Sequence, residues 1–281
     1  MHRFSQVNVF STEPLRGNPL AVVHAADDVD EATMRAFANW TNLSETTFLL
    51  APTDPAADYR VRIFTTRGEL PFAGHPTLGS AHAWLEAGGQ PRKPGVVVQE
   101  CGAGLVPVRT EGRLAFAAPA LNRSGPVEAD LVRRVVAAVR LDPADVLDAA
   151  WCDNGPGWIG IRLTSAAAVL AADPDPIAMT DLKVGLIGPY ADPTTAGAAY
   201  EVRAFYGDGQ DYGEDPVTGS LNAALAQWLI PIGAAPASYV ASQGTVLGRR
   251  GRIHVDAVGA EIRVGGDVVT VVSGEVALPE G

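Results

Sequence analysis

Two short stretches of the sequence place polar, potentially reactive side chains next to a glycine. They are ELPFAGH at residues 69–75 and EDPVTGS at residues 214–220. Each follows an alternating segment typical of a strand and precedes an alanine-rich segment typical of a helix, so Gly74 and Gly219 are predicted to open helices. The start of a helix presents unpaired backbone N–H groups and the positive end of the helix dipole, and both favour an anion. The pattern therefore indicates two binding positions for a carboxylate, unless each glycine only relieves a tight turn.

The polar residues beside these glycines have two interpretations. His75 directly follows Gly74 and could contact a bound anion or transfer a proton near neutral pH. Asp215 precedes the second helix start, and Ser220 follows its glycine. An acidic residue and a serine are also common at helix starts for structural reasons, through the dipole and through capping. The spacing alone leaves the chemical and the structural interpretation open.

A further carboxyl group, Glu45, lies in LSETTFLL at residues 43–50, a polar insertion ahead of an apolar strand. In an exposed turn it would be a solvated glutamate without a chemical role. In an apolar cleft its carboxyl group could both accept and return a proton near neutral pH. The sequence alone does not choose between these two interpretations.

The two glycine stretches belong to an internal repeat. YRVRIF at residues 59–64 matches YEVRAF at residues 200–205, and a weaker match joins residues 17–23 to residues 154–160. A repeat of this kind indicates duplication into two similar halves, each with a strand, a glycine turn and a helix. A ligand cleft is expected between the halves.

The predicted halves are residues 1–118 and 119–267, and a last strand within residues 268–281 is expected to return to the first half. Apolar residues at helical spacing predict further helices from Asp30 to Trp40 and from Glu128 to Leu141. Short β-branched runs divided by glycines predict strands at residues 96–100, 105–109, 253–255, 261–264 and 268–272. The sequence thus predicts helices combined with bent antiparallel sheets.

The composition excludes several classes of protein. The chain has 281 residues, of which 47% are hydrophobic and 19% are charged, as in an ordinary globular enzyme and unlike a disordered chain. Lys and Arg number 21 against 32 Asp and Glu, which gives a net charge of −11. This charge argues against nucleic acid or an anionic membrane surface as a partner.

Cysteine usage and motifs narrow the prediction further. Two cysteines are too few for a disulfide framework, and no signal peptide or membrane-spanning run is evident, so we expect a cytoplasmic protein. The sequence contains no phosphate-binding loop, zinc-protease motif, nucleophile elbow or paired-cysteine motif. We therefore expect neither a metal ion nor a nucleotide or flavin cofactor.

Four segments together resemble the PhzF family of phenazine-biosynthesis-type isomerases. They are GNP at residues 17–19, LSETT at 43–47, ELPFAGHPTLG at 69–79 and GEDPVTGS at 213–220. The resemblance extends over nearly the whole chain and implies an α+β, diaminopimelate epimerase-like fold. In that fold two pseudo-symmetric halves each wrap a curved, mostly antiparallel sheet around a central helix, and the active site lies between them.

The resemblance also implies roles for residues of this sequence. Glu45 matches the family's acid/base glutamate, and the assisting polar residues match His75, Asp215 and Ser220. The substrate-binding positions implied in the same way are Gly74, Gly219, Thr218 and Asn18. The enzyme implied is a cofactor-independent homodimer whose partner is a small-molecule carboxylic acid.

The leading hypothesis is an isomerase of secondary-metabolite biosynthesis that moves a proton and a double bond within a small unsaturated cyclic carboxylic acid. The alternative is an epimerase or racemase of an amino acid or similar acid that uses no thiols, because Cys101 and Cys152 lie away from the helix starts where related epimerases carry theirs. A binding protein without activity is a third hypothesis, although Glu45 and Asp215 are both present. Residues 248–252, GRRGR, depart from the family's usual Gly-Arg-Pro-Ser segment and leave the substrate open.

Overall fold

The computed structural model describes residues 1–207, 209 and 212–279. The chain divides into two units, Met1–Ala117 together with the segment from Gly265 onward, and Ala118–Val264. Across the described residues, no helix is long and apolar enough to cross a membrane. Strands and helices are both present, which confirms the predicted α+β class.

Strands are the main elements of the chain. The strands are β1 (His2–Val9), β2 (Asn18–Val23), β3 (Thr46–Leu50), β4 (Tyr59–Phe64), β5 (Glu69–Leu70), β6 (Val96–Cys101), β7 (Gly104–Arg109), β8 (Leu114–Ala117), β9 (Arg123–Pro126), β10 (Val146–Asp153), β11 (Ile159–Leu163), β12 (Lys183–Pro189), β13 (Tyr200–Gly207), β14 (Tyr212–Asp215), β15 (Ser238–Gln243), β16 (Gly251–Val258), β17 (Glu261–Gly266) and β18 (Val268–Val276). The α-helices are α1 (Glu31–Thr41), α2 (Gly74–Glu86), α3 (Ala129–Ala138), α4 (Ala166–Ala171), α5 (Pro193–Ala196) and α6 (Gly219–Leu229). A single 3₁₀ turn, Pro143–Asp145, completes the described elements.

In the first unit the strands form a curved, mostly antiparallel sheet. Its order is β18-β1-β2-β3-β4-β6-β7-β8, and the short strand β5 pairs with the end of β4. The pairs β2–β3 and β4–β6 are parallel. Helix α2 contacts β1, β2, β3, β6, β7, β8 and β18, so the sheet surrounds it. This central position explains why α2 is buried on nearly every side.

Helix α1 packs against β3 and β4 through an apolar cluster that includes Met34, Phe37 and Phe48. The Asp30 side chain caps its start, because Asp30 Oδ1 accepts a hydrogen bond of 2.7 Å from the backbone N–H of Thr33. The helix ends at Thr41, where the following residue has a left-handed backbone conformation. These bounds agree with the helix predicted from Asp30 to Trp40.

The second unit repeats this arrangement. Its sheet has the order β9-β10-β11-β12-β13-β15-β16, with β14 paired to the end of β13 and with β11–β12 and β13–β15 as parallel pairs. Helix α6 contacts β10 and β16, whereas α4 packs against β11, β12 and β13. In both units a hairpin is followed by a helix, two strands, a short strand and the glycine-opened helix, and the second unit adds α5 between β12 and β13. The two units therefore share one order of elements.

Three details differ from the sequence prediction. Helix α3 ends at Ala138, not at Leu141, because Arg140 has a positive φ of 50° that a helix does not contain. Helices α4 and α5 were not predicted, since six and four residues are too short for a clear apolar period. Their starts carry recognisable caps, Ser165 and Asp192, whose side chains accept backbone hydrogen bonds.

Gly79 lies where α2 packs closely against β1 and β2. A Cβ atom at this position would lie 2.5 Å from Leu20 Cδ2 and 3.0 Å from Val7 Cγ2, closer than side-chain carbons pack. We predict that Gly79→Ala lowers the free energy of unfolding by roughly 1–3 kcal/mol through overpacking. Alanine would otherwise stabilise a helix interior by about 1 kcal/mol relative to glycine. Urea-induced unfolding measures the difference.

The matched control is Gly274→Ala in β18, where an added Cβ atom would have no heavy atom within 4 Å. Its free energy of unfolding should stay within about 0.5 kcal/mol of the wild type. A Gly79→Ala variant more stable than the wild type would contradict the close packing of α2.

Candidate active site

The first helix start is left open by its own side chains. Helix α2 begins at Gly74, as predicted, and the preceding residue Ala73 has an extended backbone and no side chain that could cap. The Ala73 carbonyl accepts hydrogen bonds from the Thr77 backbone N–H, at 3.1 Å, and from the Thr77 hydroxyl, at 2.9 Å. The carbonyl side of the turn is therefore satisfied, and the first N–H groups of a helix have no acceptor within the helix itself, which favours an anion there.

Three of the predicted side chains meet beside this helix start. Asn18 Nδ2 lies 3.3 Å from His75 Nδ1, and His75 Nε2 lies 3.3 Å from Glu45 Oε2. Asn18 and His75 are only 0% and 4% exposed. Burial lowers the pKa of His75 to about 3, so the imidazole is neutral at physiological pH. The structure thus brings a carboxyl group and a neutral imidazole together next to Gly74.

Local backbone geometry positions these residues. Gly17 approaches the Val9 carbonyl so closely that a Cβ atom would lie 2.1 Å from its oxygen, and only glycine avoids this overlap. The Asn8 side chain accepts a hydrogen bond of 2.7 Å from the Gly17 N–H, which fixes the loop ahead of Asn18. Glu45 directly precedes β3, which begins at Thr46. The side chain of Glu45 is 15% exposed.

The second helix start is also uncapped by a side chain. Helix α6 begins at Gly219, and Thr218, although threonine often caps helices, makes no capping bond here. Its hydroxyl instead donates to Asp215 Oδ2 at 2.8 Å. Asp215 Oδ1 accepts a hydrogen bond of 3.3 Å from the Val217 N–H. The start of α6 therefore has no side-chain cap, as in α2.

Ser220 follows Gly219 and is held by the loop between β10 and β11. Trp158 Nε1 donates to Ser220 Oγ at 3.2 Å, and Asn154 Nδ2 donates to the Ser220 carbonyl at 2.9 Å. This loop is the one that the weaker sequence match paired with residues 17–23. In both units, therefore, the matching loop contacts the residue directly behind the helix-opening glycine. Trp158 and Asn154 were not predicted as site residues.

A second set of unpredicted residues holds the helix starts from inside each unit. Gln99 is fully buried, donates from Nε2 to Thr77 Oγ1 at 3.0 Å, and accepts from Tyr59 OH at 2.9 Å. The chain of bonds continues from Thr77 to the carbonyl before Gly74. The signal in the sequence is a glutamine within the apolar run VVVQ, because a buried amide must find partners.

Gln243 has the corresponding position in the second unit. It is fully buried, and its Oε1 accepts from the Thr218 N–H at 3.0 Å and from Asn222 Nδ2 at 2.9 Å. Its Nε2 donates to the Asp215 carbonyl at 3.0 Å and to Thr218 Oγ1 at 2.9 Å. A single amide therefore fixes the turn from Asp215 to the start of α6.

The repeated arginine and glutamate residues of the sequence form matching ion pairs. Arg62 donates to both Glu69 oxygens at 2.8 and 2.6 Å, and Arg203 donates to both Glu214 oxygens at 2.9 and 2.8 Å. Each pair joins a long strand to the short strand that leads to a helix start. Arg203 also donates to the Ala172 carbonyl at 2.6 Å. The repeat thus preserves a bidentate clamp ahead of each helix.

Neither cysteine has the lowered pKa of a reactive thiol. Burial raises the pKa of Cys152 to about 12 and also raises the pKa of Cys101, so both thiols are protonated at neutral pH. Neither residue lies in α2 or α6. Within the part of the chain that the structure describes, no group of three or more His, Cys, Asp or Glu side chains could hold a metal ion.

Comparisons with known proteins identify the family. The family model of phenazine biosynthesis-like proteins, PhzC-PhzF, matches residues 7–274. The chain belongs to this family. Trans-2,3-dihydro-3-hydroxyanthranilate isomerase of Pseudomonas aeruginosa is 35% identical over 297 residues, covering 100% of this chain and 99% of the relative. Antisense-enhancing sequence 1 of Schizosaccharomyces pombe is 34% identical, covering 98% of each chain.

A solved structure supports the same assignment. A predicted epimerase from Pseudomonas aeruginosa has a TM-score of 0.78 and 28% identity, covering 98% of this chain and 99% of that chain. The epimerase-like fold expected from the resemblance is thereby confirmed. The expected enzyme class, isomerase, is confirmed by the family and by relatives named as isomerases.

We predict that Gln243→Ala destabilises the protein. The change removes four hydrogen bonds and leaves the buried Thr218 N–H and the Asn222 amide without their acceptor. Unsatisfied buried groups cost about 1–3 kcal/mol each, so the free energy of unfolding should fall by roughly 2–5 kcal/mol. Denaturant titration followed by circular dichroism measures this change.

The control is Gln90→Ala, since Gln90 is an exposed glutamine. It should change the free energy of unfolding by less than about 0.5 kcal/mol. Equal stability of the Gln243→Ala variant and the wild type would show that the glutamine does not hold the helix start.

Proposed function

We propose that this protein is a cofactor-independent isomerase in which Glu45 moves a proton, and with it a double bond, within a small unsaturated cyclic carboxylic acid. The observation that carries the proposal is the contact of 3.3 Å between the Glu45 carboxyl group and the buried, neutral His75 ring beside an uncapped helix start. A binding site for a carboxylate and a group able to transfer protons are thus adjacent in one unit.

The reaction assigned to these residues needs one base that becomes an acid. The first-turn N–H groups of α2 bind the substrate carboxylate and orient the ring. Glu45 removes a proton from one carbon, the electron pair shifts the double bond, and the protonated Glu45 returns a proton to another carbon. Atoms and electrons balance within the substrate, so the step consumes no oxidant or reductant. His75 stays neutral, and its ring contacts the Glu45 carboxyl group beside the start of α2.

The choice of substrate class is supported by a relative. The Pseudomonas aeruginosa protein is named for its action on trans-2,3-dihydro-3-hydroxyanthranilate and is related along the whole chain. We extend from this to a substrate of the same kind and to a role in the biosynthesis of a secondary metabolite. A role for Asp215, Thr218, Gly219 and Ser220 in binding or protonating the same substrate stays a prediction, as do the homodimer and the cytoplasmic location.

Epimerisation is the competing reaction, and the related solved structure named as a predicted epimerase favours testing it. Both reactions begin with proton removal from carbon. They differ in the product, because an epimerase returns the proton to the same carbon from the other face. Deuterium incorporated from heavy water at a stereocentre, without movement of a double bond, would favour the epimerase.

We predict that Glu45→Gln folds normally and loses the chemical step. The amide keeps the size of the side chain but cannot accept a proton, so turnover should fall by at least about 10²–10⁴-fold. Glu45→Asp should also be impaired, because the shorter side chain withdraws the carboxyl group by about 1 Å. The assay follows conversion of trans-2,3-dihydro-3-hydroxyanthranilate, then a panel of cyclic dienoic acids, with deuterium incorporation recorded by NMR.

Glu111→Gln is the matched control, because Glu111 lies in the same unit with a side chain that is 73% exposed. It should turn over at the rate of the wild type. If Glu45→Gln instead retained that rate, Glu45 would not be the proton carrier, and Asp215 or His75 would replace it as the candidate.

The double variant Cys101→Ala/Cys152→Ala should keep its turnover. Both thiols are protonated at neutral pH and neither lies at a helix start, so neither can serve as the base of a two-thiol epimerase. Turnover and thermal unfolding are measured on the same preparation. Lost turnover in a variant that remains folded would restore the thiol mechanism.

A further inference from the structure

In both units the loop between the two hairpin strands, taken with the first residue of the second strand, directs an N–H group at the residue that follows the helix-opening glycine. Asn18 Nδ2 lies 3.3 Å from His75 Nδ1, and Trp158 Nε1 lies 3.2 Å from Ser220 Oγ. The two loops differ in sequence, and the two target side chains differ in type. The direction of the contact is nevertheless the same, from loop to helix start.

For His75 this contact determines which nitrogen carries the proton. An NH₂ group only donates, so Nδ1 must accept from Asn18 and carries no proton of its own. The ring is neutral, and its single proton is therefore on Nε2. Nε2 is buried and faces Glu45 Oε2 at 3.3 Å, without the alignment of a hydrogen bond to any described residue. It is a donor directed toward the catalytic carboxyl group.

For Ser220 the same reasoning applies to a hydroxyl group. The indole N–H of Trp158 only donates, so it occupies a lone pair of Ser220 Oγ. Trp158 is 5% exposed, and Asn154 holds the backbone carbonyl of Ser220 at 2.9 Å. Rotation of the hydroxyl is thereby restricted, and its O–H bond points away from the indole as a donor.

We infer that Asn18 and Trp158 are positioning residues: Asn18 keeps the His75 proton on Nε2, which faces Glu45, and Trp158 makes Ser220 a hydrogen-bond donor toward an oxygen atom of the substrate. This inference rests on the proposed function, which supplies an acid substrate. It adds a specificity rule at Ser220, because that position then accepts a carboxylate, carbonyl or hydroxyl oxygen and disfavours a group that can only donate, such as an ammonium group.

The first experiment needs no substrate. Protein labelled with ¹⁵N in its histidine rings is recorded by long-range ¹H–¹⁵N correlation, and the His75 signals are assigned by their loss in His75→Gln. We expect the pattern of a neutral ring with a protonated Nε2 and a bare Nδ1, unchanged from pH 5 to pH 8. A protonated Nδ1, or a ring that titrates in this range, would overturn the inference.

The second experiment replaces the hydrogen-bond donor at residue 18 with an acceptor. Asn18→Asp replaces the amide with a carboxylate that only accepts, so Nδ1 should acquire a proton and the ¹⁵N pattern should change. Asn42→Asp, at an exposed position before Glu45, adds the same charge without touching the ring and should leave the pattern unchanged. An unchanged pattern in a folded Asn18→Asp variant would show that Asn18 does not set the proton. If that variant does not fold, the ¹⁵N pattern of the wild type still shows which ring nitrogen of His75 carries the proton.

The third experiment examines Ser220. The indole N–H signal of Trp158 is assigned by its loss in Trp158→Phe, and Ser220→Ala should shift this signal and speed its exchange with solvent. Ser124→Ala, an exposed serine of the same unit, should leave the signal unchanged. If the chemical shift and solvent exchange of the indole N–H are unchanged in Ser220→Ala, the inference for the second helix start is overturned.

Turnover then separates this inference from the proposed function. If Trp158 acts through Ser220, Trp158→Phe should lower kcat in the wild type but add no further loss in Ser220→Ala. Additive losses would contradict the positioning role. If the NMR donor pattern is absent and the Glu45→Gln variant is inactive, only this inference is refuted. If the donor pattern is present and the Glu45→Gln variant is active, only the proposed function is refuted.

Discussion

Each unit contains a helix start that the chain leaves without a side-chain cap. A helix start inside a sheet has N–H groups that water reaches poorly, and an unsatisfied group there is costly. The usual remedy is a capping side chain, yet Ala73 has none and the Thr218 hydroxyl donates to Asp215 instead. The buried glutamines keep both turns in place. A helix start without a side-chain cap favours an anion, which makes both starts candidates for binding one.

Much of this arrangement could be predicted from the sequence. The repeat located Gly74 and Gly219 at helix starts, because strand, turn and helix signals are local and occur twice. Gln243 and Trp158 could not be found in this way, since their roles arise only when the fold brings distant strands to the helix start. The contact of Glu45 with His75 likewise needs tertiary structure, because thirty residues of chain separate a turn glutamate from its imidazole neighbour.

The two units share the position of the glycine-opened helix but differ in the side chains beside it. His75 and Ser220 occupy the same place behind a glycine, but only the first can hold a ring proton. The arginine–glutamate clamps diverge in environment: Arg62 is 26% exposed, whereas Arg203 is 5% exposed. An exposed pair contributes little to stability, while loss of one partner of a buried pair leaves an uncompensated charge. The second clamp is therefore the less replaceable one, and it lies directly ahead of Asp215.

The pairing of β18 with β1 has a consequence for synthesis on the ribosome. These strands pair from His2 with Val276 to Val9 with Val268, so the first unit is built from both ends of the chain. Residues 118–264 emerge as one continuous segment, and strands β9 to β16 are complete before the last strand is translated. Until then one edge of β1 is exposed, and unpaired edges invite association with other chains. The unit that is translated first is completed last.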